Sequence, residues 1–386
     1  MLKSIYISNF KGLKEVSIPS VGNLNLIVGK NNSGKSSLLE ALMLYASGGS
    51  ESVLHELSVS HDEISRERFR PTEYQQTDSD SQSFISNDML PYEHLFYGRT
   101  FDPKESIHIG ENEKPAKSLI LSFIKDRKVN DNSNDEAIKL LTQLNIFNND
   151  IVLPKMRSQN VLEVKKGRYK HFIPLDEAVF RASRFVDSDD RSKINFRHIP
   201  TKITSMDDLG FLWDQITLTK YEKITIEALQ SIEPNITDIR FVLKDGSRRQ
   251  RTAIVKLSGS DDVFPILSMG DGIGRILQLI LNMYAARDGI YLIDEFDNGL
   301  HYSIQKSLWK MIFNLSKLLN VQVFATTHSW DCVQSFAEVS IENRELDGFL
   351  LKLGKSKLSS NKGSSIVTIF NEDKLYTITQ EMVEVR

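Results

Sequence analysis

The sequence predicts an α/β fold: a mixed sheet with a P-loop, a β-rich lobe and a helical lobe. Three observations predict it. An apolar strand, Leu24-Asn25-Leu26-Ile27-Val28, runs into a glycine-bounded loop, after which Leu38, Leu39, Leu42 and Met43 recur at one-helix-face spacing. Beyond Pro265, helical and strand patterns alternate as in a largely parallel, buried sheet. One of those strands, Ile290–Ile293, ends in adjacent carboxylates, Asp294 and Glu295.

The loop Gly29-Lys30-Asn31-Asn32-Ser33-Gly34-Lys35-Ser36-Ser37 has the residue types that phosphate binding requires. Gly29 and Gly34 allow a tight turn with no Cβ in the way, so successive N–H groups converge on an anion. The helix beginning beside Gly34 adds its N-terminal dipole. Lys35 is placed to reach the outer phosphates, and the Ser36 hydroxyl to sit on Mg²⁺.

The chain has 386 residues, 40% of them hydrophobic and 26% charged, the composition of an ordinary globular protein. A net charge of −3 gives no global reason to expect nucleic acid, so any DNA contact needs a local basic patch. Cys332 is the single cysteine, which excludes an internal disulfide and fits a reducing cytosol. The longest apolar runs are too short to span a bilayer, and Met1–Ile7 alternates like a strand without a signal-peptide pattern. A cytoplasmic location with no membrane association is expected.

In chain order, residues 2–7 and 14–18 read as strands around a turn at Gly12, and the P-loop helix fades at Gly48-Gly49. Residues 50–105 read as irregular, with Gln75–Asp88 an exposed polar loop. Strands are expected at 106–109, 118–124, 150–153, 160–164 and 169–173. A polar loop at 129–135 leads to a short helix at 136–144. Residues 205–231 read as helical, and 236–243 with 252–257 as a hairpin across Asp245-Gly246. Helices follow at 271–287, 302–319 and 330–338, with strands at 289–294 and 321–326. The expected division is an N-terminal lobe, 1–200, with P-loop and β-rich insertion, and a C-terminal lobe, 201–386, together one composite domain.

Three further segments carry chemistry. A strand that ends in Asp294-Glu295 places the first carboxylate at the sheet's C-terminal edge for Mg²⁺ and the second where it can activate water. Strand Val321–Thr326 ends in Thr327-His328, placing His328 to sense a terminal phosphate. Ser268-Met269-Gly270-Asp271 precedes a helix, a second anion-binding pattern of hydroxyl, bare N–H groups and helix dipole.

The order of these motifs, with Asn298-Gly299-Leu300-His301 after the carboxylates, resembles the ABC-type ATPase heads of the SMC/RecF/OLD-like branch. The resemblance implies an ATP and Mg²⁺ site in which Gly29–Ser37 is the Walker A loop and Asp294-Glu295 the Walker B pair. It likewise makes Ser268–Asp271 the signature loop, with Ser268 and Gly270 closing a partner's site. Asn298–His301 becomes the D-loop and His328 the switch histidine. By the same resemblance Lys11, in Ile7-Ser8-Asn9-Phe10-Lys11-Gly12-Leu13, is a basic residue near the nucleotide, and Gln159 is assigned to the glutamine loop between lobes. It further implies a homodimer that sandwiches two ATP molecules. Since no Toprim domain follows His328, the implied effector is a separate polypeptide, a Toprim-type nuclease in anti-phage defence being the leading candidate.

Two basic clusters, Lys155–His171 and Lys244, Arg248, Arg249 and Arg251, read either as solvated hairpin edges or as phosphate-backbone contacts. The second possibility sustains a rival reading, a DNA-repair ATPase that binds DNA directly. A transporter nucleotide-binding subunit is disfavoured by the long separation of Lys35 and Ser268.

Overall fold

A computed structural model of the chain describes residues 1–60, 92–112, 117–128, 158–175, 193–201, 204–244, 250–356, 364–371, 374, 375 and 377. The loop expected at Gln75–Asp88, the polar run at 129–135, the helix at 136–144 and the strand at 150–153 lie outside these residues.

From the N-terminus, the elements are β1 (Ile5–Phe10), β2 (Leu13–Ile18), β3 (Leu24–Gly29), α1 (Lys35–Ala46), α2 (Glu51–Ser60), β4 (Ser106–Gly110), β5 (Leu119–Lys128), β6 (Ser158–Lys166), β7 (Tyr169–Pro174) and β8 (Phe196–Ile199). There follow α3 (Met206–Ile216), α4 (Lys220–Gln230), β9 (Ile236–Leu243), β10 (Arg251–Leu257), β11 (Val263–Pro265) and α5 (Asp271–Ala285). The chain continues through β12 (Ile290–Ile293), α6 (Tyr302–Leu319), β13 (Gln322–Thr326), α7 (Trp330–Glu342), β14 (Gly348–Lys355) and β15 (Ser365–Phe370).

The chain divides into two compact units. One unit comprises Met1–Ile5, Ser17–Leu39 and Ile194–Arg386; the other comprises Tyr6–Val16 and Glu40–Lys193. The P-loop strand belongs with the C-terminal half because its hydrogen-bonding neighbours, β13 and β14, are both C-terminal strands.

In the first unit a six-stranded sheet has the order β15-β14-β3-β13-β12-β8, parallel from β14 to β8 with β15 antiparallel at the edge. Every residue of β3, β12 and β13 is buried, which explains why these strands read as continuous apolar runs instead of alternating. Two polar side chains inside the sheet are fully engaged. Gln322 holds Leu2 through both main-chain groups, and Asn25 donates to the carbonyls of Gly22 and Val323. Helix α6 buries Trp309, whose ring stacks on Phe296 at 3.8 Å and meets Phe336 of α7 edge-on. Lys306 and Lys310 of α6 pair with Glu338 and Glu342 of α7 along the exposed side.

The helical stretch expected at 205–231 forms as two helices, α3 and α4. Leu218 between them adopts φ 61° and is 94% exposed, while Thr219 caps the second helix through Tyr221 N. Hairpin β9–β10 forms as expected, its turn at 245–249 lying outside the described residues. Arg251 on β10 makes a bidentate ion pair with Asp214 of α3, at 2.6 and 2.9 Å.

The second unit holds the other six-stranded sheet, β2-β1-β4-β5-β6-β7, whose β1-to-β7 pairings are all antiparallel. Its turn between β1 and β2 places Asn9 and Lys11 in the left-handed region, with φ 58° and 47°. Helix α2 departs from the expected irregular stretch: Val53, Leu54 and Leu57 give it a buried face.

Candidate active site

The site follows from strand order. Strands β3, β13 and β12 are parallel neighbours, registered Ile27 to Thr326 and Ala325 to Ile293, so their C-terminal ends emerge along one edge. The glycine loop leaves β3 there, Thr327-His328 leaves β13, and Asp294-Glu295 leaves β12. Such an edge is where open α/β sheets bind ligands. Loops far apart in sequence are thereby brought together. Burial pulls the Lys35 ammonium below its ordinary pKa, while Asp294 and Glu295 counter that by stabilising its charge.

Within the loop, Gly29 has φ 152° and Gly34 φ 102°. A Cβ on Gly29 would stand 2.4 Å from the Leu353 carbonyl oxygen and 2.7 Å from Ser33 Oγ, so only glycine fits. Lys35 is 7% exposed, and its Nζ donates to the carbonyls of Gly29 and Lys30 at 2.8 and 3.1 Å. Two of three ammonium protons are thus used, leaving one for a phosphate oxygen. Ser33 Oγ is buried and has no hydrogen-bond partner. An unmatched buried hydroxyl at the start of a helix is what an anion satisfies, so the loop fits a phosphate chain. Asn31, Asn32 and Ser36 are exposed, and Gly34 and Ser37 are partly so.

The acidic turn is held from below by Thr326. Its Oγ1 donates to Asp294 Oδ1 at 2.7 Å and accepts from Glu295 N at 2.9 Å. Glu295 itself has φ 46°, a conformation costing a non-glycine residue about 1–3 kcal/mol. Next to Thr326, the buried Thr327 donates through Oγ1 to Asp297. Asp294 keeps one oxygen outside these bonds, and the Ser36 hydroxyl is exposed. Both are hard oxygen donors of the kind Mg²⁺ takes together with phosphate oxygens. Among the described residues no group of three or more His, Cys, Asp and Glu could hold a metal by itself. His328 is exposed at the end of β13, immediately before Ser329, which caps α7 through Cys332 N.

Ser268 lies in a 3₁₀ turn, Ile266–Met269, where its hydroxyl donates to Pro265 O at 2.6 Å. Gly270 follows with φ 101° and begins α5 without any side-chain cap. Both residues are exposed. An ideal Cβ on Gly272, two residues on, would stand 3.3 Å from Gly299 O, so the start of α5 and the loop at Asn298–His301 meet within this unit.

Over residues 24–331 the chain matches the family described as "AAA domain, putative AbiEii toxin, Type IV TA system". The chain belongs to this family. An ATP/GTP phosphatase of Helicobacter pylori (strain ATCC 700392 / 26695) is 25% identical over 359 residues, 88% of each chain. Among solved structures, the Smc head bound to the C-winged-helix domain of ScpA aligns at 18% identity and TM-score 0.47, covering 98% of this chain and 99% of that one. The SMC head domain from Thermotoga maritima aligns at 12% identity and TM-score 0.41, covering 96% and 98%.

Two residues expected near the nucleotide lie in the second unit. Lys11 is engaged there in a 2.8 Å ion pair with Glu40 of α1, both side chains largely buried. Gln159 lies on β6 opposite Arg127 of β5. The basic clusters are partly committed to the fold. Lys166 is buried and donates to Tyr45 O at 2.6 Å, Lys170 pairs with Glu163, and Arg251 is held by Asp214. Lys155, Arg248 and Arg249 lie outside the described residues.

Sequence reasoning missed Arg275. This α5 residue is 2% exposed, and its guanidinium donates to the carbonyls of Pro200, Asp294 and Glu295. Its signal was present: Arg275, Gln278 and Asn282 form one polar stripe along a helix that is otherwise apolar and buried. Thr326 was likewise read as strand alone.

Proposed function

We propose that this chain binds and hydrolyses ATP as an ABC-type head of the SMC/RecF/OLD-like branch. In this reading it is a nucleotide-gated dimerisation switch for a separate effector. The observation that carries it is the convergence of Lys35 with Asp294 and Glu295 at one sheet edge. The matched family's AAA-domain description and the relative named an ATP/GTP phosphatase support the activity.

In the proposed cycle, Lys35, Ser33 and the main-chain N–H groups of residues 31–37, Gly34 among them, neutralise and orient the phosphates of ATP. Ser36 and Asp294 would hold Mg²⁺, whose charge offsets that developing on the phosphates. Glu295 accepts a proton from the attacking water, and His328 donates to the terminal phosphate. Ser268 and Gly270 present a helix start to the site of a second copy, so a dimer forms only while the phosphates are in place. Lys11 is carried as the basic residue near the nucleotide and Gln159 as the loop glutamine, both on the resemblance of the motifs. The toxin–antitoxin wording of the family's description supports an output in defence. A Toprim-type nuclease is the effector that the resemblance of the motifs implies. Arg251, held by Asp214, lends no support to direct DNA binding.

Phosphate release by purified chain tests the reading. Glu295→Gln is expected to retain ATP binding and lose about 10²–10⁴-fold in turnover, the usual contribution of a general base. Turnover equal to the parent's would remove Glu295 from the role. Co-purification of a nuclease from the native host is expected; isolation alone, with no phage phenotype in a null strain, would overturn the effector assignment.

A further inference from the structure

The backbone of Glu295 is gripped at both of its polar groups. Its N–H donates to Thr326 Oγ1 at 2.9 Å, and its carbonyl accepts from Asn298 N at 3.0 Å and from Arg275 Nη2 at 3.3 Å. The same Nη2 reaches Asp294 O at 3.1 Å, while Nη1 holds Pro200 O at 2.8 Å and Gln278 Oε1 at 3.4 Å. Arg275 is among the largest fully enclosed side chains of the chain, and its Nε has no hydrogen-bond partner. A buried guanidinium with an unmatched donor is costly for folding, and an apolar residue of similar volume suits a helix interior better. What the arginine adds is two bonds to the peptide that carries both acids, at a residue held in the left-handed region with φ 46°.

We propose that Arg275 is a positioning residue for hydrolysis: with Thr326 it clamps the Glu295 peptide and so aims the carboxylate. Arg275 touches no substrate in this role and acts only through Glu295. The proposal rests on Glu295 as the general base, the reading given above. It predicts that weakening the clamp lowers kcat while nucleotide affinity is kept, because Lys35 and the loop N–H groups lie outside it.

The test is a double-mutant cycle of Arg275→Met with Glu295→Gln. It is read as single-turnover cleavage of ATP with enzyme in excess, beside the Kd for a fluorescent ATP analogue. Arg275→Met is expected to lower the rate about ten- to hundred-fold, the scale of a catalytic group misplaced by about 1 Å, with Kd within about twofold. Arg275→Lys should recover part of the loss. Added to Glu295→Gln, Arg275→Met should cost nothing further. If Arg275→Met does not fold, as judged by circular dichroism, Arg275→Lys takes its place in the cycle. An unchanged rate in the arginine variant overturns the proposal, as does a parallel loss of rate and affinity. So does a full additional loss on top of Glu295→Gln. If instead Glu295→Gln cleaves ATP as the parent does, the general-base reading fails first, and the two failures are told apart.

Discussion

Lys35, a lysine whose positive charge is disfavoured by burial yet stabilised by two acids distant in sequence, lies at the edge where β3, β13 and β12 end. Around it, single residues have narrow tolerances. Gly29→Ala would push a methyl group against the Leu353 carbonyl and Ser33 Oγ at a φ that alanine avoids. It should therefore lower unfolding free energy by about 1–3 kcal/mol in urea titration and weaken ATP binding together. A variant with parental stability and affinity would show that the loop does not need the bare backbone. The glycine loop and the Asp294-Glu295 pair stand out in sequence because each is a local pattern of residue type and spacing on one short segment. Thr326 and Arg275 do not, because each acts on Asp294 and Glu295 through hydrogen bonds to groups 19 to 32 positions away. Nothing in an isolated threonine or arginine records such a partner.

Elements were legible where one signal dominated. The apolar strands of the buried sheet and the long amphipathic helix α6, expected at 302–319 and found at Tyr302–Leu319, are of this kind. Where signals conflicted, the reading failed. Gly48, Gly49 and Ser50 suggest a loop, yet Val53, Leu54 and Leu57 bury a helix face directly after them. Between α3 and α4 no glycine or proline marks the break, and Leu218 takes a left-handed conformation that its residue type does not advertise. The attachment of α3 to β10 yields an acid-dependence. The side-chain hydrogen bond from Arg251 holds the Asp214 carboxyl below its ordinary value of 3.8. A carboxyl with a lowered folded-state pKa contributes stability that is complete above its unfolded value and lost as pH falls through the folded one. Stability should thus decline below about pH 4 in part through this pair, modestly since Asp214 is half exposed. Asp214→Asn should flatten that portion in urea titrations at pH 5 and pH 3. An identical pH slope in the variant would exclude the pair as a source.

At the scale of the whole chain, the sheet order was the part least visible in sequence. β3 has neighbours, β14 and β13, that are remote from it in the chain, so no local pattern says that the P-loop strand sits between two C-terminal strands. Order of motifs carries that information indirectly: the succession of segments resembles that of heads in which they frame one site. The unit that contains the P-loop also takes in the first five residues, with Leu2 held by Gln322. A nucleotide site completed by a second copy makes mass depend on ATP. Light scattering of Glu295→Gln with and without ATP and Mg²⁺ measures this directly, beside Glu295→Gln carrying Lys35→Ala. The account predicts that the first doubles its mass with ATP and that the second stays at the monomer mass of 44.0 kDa. A mass unmoved by ATP in Glu295→Gln, or doubled in the variant that lacks Lys35, would contradict it.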